Sequence, residues 1–152
     1  MDYSKYPNYK PLDKMTTHDN IPSWIIVHHS ASLVDDFNSI QRYHITDPGH
    51  LWENIGYHAV INRDGTLHQG RPDNYHGAHV KEQSINNKSL GICLCGYFDD
   101  HAPTPAQIAT LKSYLEAKIA LYGIKKENIV PHRHFALNAQ GKPYKSCFGS
   151  FL

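Results

Sequence analysis

Cysteine is scarce: Cys93, Cys95 and Cys147 are the three in 152 residues, an odd and sparse set that excludes a disulfide framework. Charge of one sign is also lacking. Fifteen Lys and Arg against fourteen Asp and Glu leave a formal net charge of +1, without a cationic run. Nucleic acid as the main partner is thereby excluded, because such proteins concentrate basic residues on one face. No apolar run is long enough to span a membrane. The opening MDYSKYPNYKPLDK is polar and aromatic and has no apolar core of the signal-peptide kind, so a protein made in the cytoplasm is expected. No internal repeat or exposed apolar repeat stands out, and a monomer is expected. What remains, 40% hydrophobic residues over this length, suits one domain with a real core.

The hydrophobic pattern predicts the elements. Residues 1–22 read as an irregular arm and 23–152 as the folded domain. SWIIVHH at 23–29 is an apolar, β-branched run and predicts a buried strand. Asp35 or Asp36 can cap a helix carrying Phe37, Ile40 and His44 on one face and ending near Asp47-Pro48-Gly49. In IGYHAVINRDGTLHQG, two apolar segments flank Arg63-Asp64-Gly65, a strong hairpin signal. Residues 71–88 are polar and loop-like, and SLGICLCGY predicts another buried strand, with Cys93 and Cys95 as buried thiols. Thr104 and Gln107 fit a capping box with Pro105 at the first helical position, followed by Ile108, Leu111, Leu115, Ile119 and Tyr122 at helical spacing and Gly123 as the stop. A short strand, ENIVPH, precedes the loop HRHFALNAQGKPYKSC. Strands interleaved with helices imply an α/β fold, a central mixed sheet flanked by helices in a single domain.

Twelve histidines are unusual for this length. A catalytic zinc site needs three protein ligands and an open position for water, and strand ends and loops are good sources of them. His28 ends one predicted strand, His132 another, and Cys147 lies in the loop beyond; two imidazoles and a thiolate are a sensible zinc set. No compact paired Cys or His motif is present. Successive strand side chains point to opposite faces, so only one of His28 and His29 can reach a shared metal. His134 competes with His132 as a ligand, His132 coming directly after the strand.

VHHSAS at 27–32, IGYHAVINRDGTLHQGR at 55–71, NKSLGICLCG at 87–96 and PHRHFALNAQGKPYKSC at 131–147 resemble, in order, the type-two N-acetylmuramoyl-L-alanine amidases. That family includes phage amidase lysozymes and peptidoglycan recognition proteins, and the Lys-x-Cys segment looks most like the phage branch. The resemblance implies an amidase-like α/β fold and a zinc enzyme that hydrolyses the bond between N-acetylmuramic acid and L-alanine in bacterial peptidoglycan. By matching position it implies His28, His132 and Cys147 as Zn2+ ligands, Tyr57 and Lys145 as assisting residues, and His79 as a substrate-groove histidine. It also implies a phage endolysin that waits in the host cytoplasm and acts on the cell wall after release.

Two features depart from the pattern. KEQSINNKS is longer than the usual connection after the groove histidine, and Phe148 follows Cys147 where relatives carry Pro. A non-catalytic peptidoglycan-binding module is the alternative of another class; such members typically lose the cysteine ligand, and Cys147 is present. A metal-free hydrolase using Cys147 as nucleophile is a third reading, predicting inactivation by thiol alkylation and indifference to chelators. Some phage members also bind the host RNA polymerase, a partner about which these residues carry no sign.

Overall fold

The computed structural model describes residues 2–16, 19–81 and 83–135. Five strands, β1 (Trp24–His29), β2 (Ala59–Ile61), β3 (Leu67–Gln69), β4 (Ser89–Leu94) and β5 (Ile129–Pro131), form one sheet in the order β3-β2-β4-β1-β5. The pairs β2–β4, β4–β1 and β1–β5 are parallel, and β3 closes the edge antiparallel to β2. The mixed α/β sheet expected from the pattern is therefore present. β1 is nearly continuous in apolar residues because it is central and covered on both faces, as parallel strands require.

Alternation along β1 sorts its side chains between two layers. Ile25 and Val27 join Ile61, Leu90, Ile92 and Leu94 beneath α2 (Pro105–Tyr122), whose Leu111 and Tyr114 are buried there. The opposite face takes α1 (Phe37–Thr46), with Ile40 packed on Ile55, Val60, Cys93 and Cys95. Both cysteines are buried thiols, and desolvation pushes Cys95 up to about 12. Asp36 caps α1 by accepting from the Ser39 backbone N–H, completing a capping box with Ser39. The box predicted for α2 is also present: Thr104 Oγ1 accepts from Gln107 N, Gln107 Oε1 accepts from Thr104 N, and Gly123 ends the helix at φ +64.

The apolar face drawn for α2 needs one correction. Ile108 is 43% exposed, whereas Gln107 is buried. Gln107 Nε2 donates to the Cys95 carbonyl at 2.8 Å, so a polar side chain is satisfied inside and the helix is turned accordingly. The N-terminal arm is less loose than its sequence suggests. Tyr3 and Met15 are buried, and Asn8 Nδ2 donates to the carbonyls of Ile45, near the end of α1, and of Trp52 in the loop beyond it. Among the described residues no helix is long and apolar enough to cross a membrane.

Candidate active site

Parallel strands of an open sheet end together, and the crevice beyond their carboxyl ends is where such folds bind ligands. Here β1 ends in His28-His29, and β5 runs directly into His132. Because Ile25 and Val27 face α2, His28 faces the other way, into a cleft of about 1220 Å³. His29 falls on the α2 side, where its Nδ1 accepts from Phe98 N at 3.0 Å and its ring lies 5.8 Å from Phe98. His29 is thus a hydrogen-bonded neighbour, turned away from His28.

His28 is 1% exposed and His132 7%, and their ring centroids are 4.6 Å apart. The competing His134 is exposed, with its ring 6.1 Å from Trp24. The Tyr57 ring meets the His28 ring edge-on at 5.0 Å and lies 5.7 Å from His44. His79 lies beside His28 on the cleft wall, buried, with Nδ1 3.0 Å from His28 Nε2 and Nε2 3.2 Å from Ser89 Oγ. Burial, then the neighbouring His58, His132 and Arg71, holds His79 well below the ordinary histidine range. The structure thus gathers His28, His132, Tyr57 and His79 at one cleft. Lys145 and Cys147 lie outside the described residues.

Three further cleft residues were not singled out as functional in the sequence. His44, on the apolar face of α1, has its Nδ1 accepting from Gly56 N, and burial lowers it to about 3. Trp52 packs its ring 4.6 Å from His44. Arg71 is 3% exposed; its Nε donates to Ile55 O at 2.7 Å and Nη1 to His76 O at 2.9 Å. Desolvation lowers Arg71 to about 10, with Glu53 opposing the shift. The periodicity of α1 could have flagged His44, but nothing local distinguishes a buried Arg71 from a solvated one.

Among the described residues no group of three or more His, Cys, Asp or Glu side chains is placed to hold a metal ion. What they contribute is two adjacent, buried imidazoles at strand ends, and neutral imidazole is a good zinc donor. That pair fits a zinc site needing one more ligand. His28 also carries, on its Nε2 side, the kind of outer hydrogen-bond partner that ligating histidines have.

A family model described as N-acetylmuramoyl-L-alanine amidase matches residues 18–149. The endolysin of Escherichia phage T7 is 35% identical over 103 residues, covering 64% of this chain and 67% of that protein. Peptidoglycan-recognition protein SC2 of Drosophila melanogaster is 32% identical over 109 residues, covering 66% of this chain and 57% of its own. Among solved structures, the N-acetylmuramoyl-L-alanine amidase LysC from Clostridium intestinale superposes with a TM-score of 0.73 at 25% identity, covering 88% of this chain and 80% of LysC.

Proposed function

Since this chain belongs to the N-acetylmuramoyl-L-alanine amidase family, we propose that it is a zinc-dependent peptidoglycan amidase that cleaves the bond between N-acetylmuramic acid and L-alanine, and that it serves as a phage endolysin. The observation that carries this reading is the pairing of His28 and His132, two buried imidazoles 4.6 Å apart on the wall of an open cleft. Cys147 is assigned as the third ligand on its match to the family motif. When bound, zinc supplies a Lewis acid for the scissile carbonyl and lowers the pKa of water toward roughly 7.

The chain's own side chains do the rest. His28 and His132 act as the nitrogen donors, both buried at the cleft wall. Tyr57, against His28, offers its hydroxyl to the carbonyl oxygen as that oxygen becomes negative, and Lys145 is assigned the same task as a cation. The apolar and aromatic wall from His44 and Trp52 limits water around that charge. The substrate is the peptidoglycan of the host wall, reached after release from the host cytoplasm, and the protein acts as a monomer.

The test is zinc content measured beside the release of new amino termini from purified cell walls. Wild type should hold one zinc and release L-alanine amino termini, while His28→Ala and Cys147→Ala should lose both. Undiminished lysis by a zinc-free variant sinks the metal reading. Tight binding to the wall without new amino termini from the zinc-loaded protein would instead make it a recognition module.

A further inference from the structure

We infer that Ser89 and His79 form a relay that sets the tautomer of His28, holding its proton on Nε2 and leaving Nδ1 as the nitrogen that can bind a metal. The relay starts at Ser89, fully buried at the head of β4. Its Oγ donates to the Ile85 carbonyl at 2.7 Å. A hydroxyl has one hydrogen, so its second contact, 3.2 Å from His79 Nε2, is one in which Oγ accepts and His79 Nε2–H donates. A neutral imidazole protonated at Nε2 presents Nδ1 as its acceptor. That Nδ1 lies 3.0 Å from His28 Nε2, so the proton between them belongs to His28 Nε2. The His79 ring is buried and edge-on to both His28 and His58, with one partner in place for each of its nitrogens.

The surroundings of His79 hold its ring in one place. A Cβ on Gly91 would come within 2.5 Å of its Cγ, and a Cβ on Gly77 within 2.4 Å of its Cδ2, so two glycines leave the slot the ring occupies. Asn86 Oδ1 accepts from the backbone N–H groups of His79 and Val80, and Asn86 Nδ2 donates back to the Val80 carbonyl at 2.7 Å. His79 therefore acts as a positioning residue, through His28. The consequence for metal rests on the zinc reading above; the tautomer itself does not, since it is set by bonds within the protein.

The experiment is nitrogen-15 NMR of the histidine rings in the full chain, without metal and with one equivalent of zinc, beside zinc dissociation constants for His79→Leu and His79→Gln. Metal-free wild type should carry the His28 proton on Nε2, and zinc should move the Nδ1 resonance. His79→Leu, checked for folding by circular dichroism, removes the acceptor and should weaken zinc by about 10–100-fold. His79→Gln, whose amide oxygen can accept the same proton, should recover most of that loss. A proton on His28 Nδ1 in the metal-free protein overturns the relay. So does a folded His79→Leu variant with wild-type tautomer and zinc affinity. A wild type that binds no zinc yet shows the Nε2–H tautomer would sink the zinc reading and leave the relay standing.

Discussion

The pairs His28/His29 and His132/His134 show how little separates a site residue from its neighbour in the chain. His28 and His132 meet ring to ring at the cleft, whereas His29 turns its Nδ1 to Phe98 and His134 lies exposed near Trp24. His132→Ala should therefore abolish zinc binding, while His134→Ala should retain a full equivalent, as read by metal analysis of the dialysed proteins. Equal zinc loss in both would move the ligand assignment. Tyr57 is argued to act on charge that exists only during reaction. Tyr57→Phe should thus lower kcat by roughly a hundredfold to a thousandfold with zinc content unchanged. A rise in KM alone would make it a binding residue.

Packing between elements keeps these side chains in register. β4 approaches the His79 ring so closely at Gly91 that a methyl group has no room. Gly91→Ala should leave β4 intact, because alanine is acceptable in a strand, yet displace the imidazole and weaken zinc binding. The check is a titration beside the thermal midpoint: a large fall in stability with unchanged affinity would reduce Gly91 to a packing residue. On the far face, Thr104 caps α2 and also donates to the Arg63 carbonyl in the hairpin turn at 2.8 Å, tying the helix to that turn. Thr104→Ala should cost about 1–2 kcal/mol in denaturant unfolding, with little change in zinc affinity.

Across the whole molecule, buried neutral histidines make the fold sensitive to acid. His58 is fully buried; its Nδ1 accepts from Gly91 N at 3.0 Å, and its Nε2 donates to the Tyr75 carbonyl at 2.7 Å. Desolvation lowers it from 6.5 to about 4, and His44 is lowered to about 3 for the same leading reason. The folded state disfavours the cation, so this stabilisation is complete above the unfolded value of 6.5 and is lost as pH falls from there toward the folded values. For His58 the loss amounts to roughly 3 kcal/mol at the acid limit. Guanidinium midpoints should fall steadily from pH 7 to pH 4; a flat profile would mean that these rings tolerate charge where they sit.

Local pattern was enough to read β1, the hairpin at Asp64-Gly65 and the capping box of α2, because strand alternation, turn chemistry and helix capping act over a few residues. Strand ends also nominated His28 and His132, and the family resemblance added Tyr57 and His79, the four spread over more than a hundred positions. Only the tertiary fold decided that Gln107 rather than Ile108 faces inward, that Arg71 is buried, and that Ser89 stands behind His79 and His79 behind His28. Those facts depend on which strands pair and on the space left between layers. Such contacts join residues far apart in the chain, so no short window of sequence can contain them.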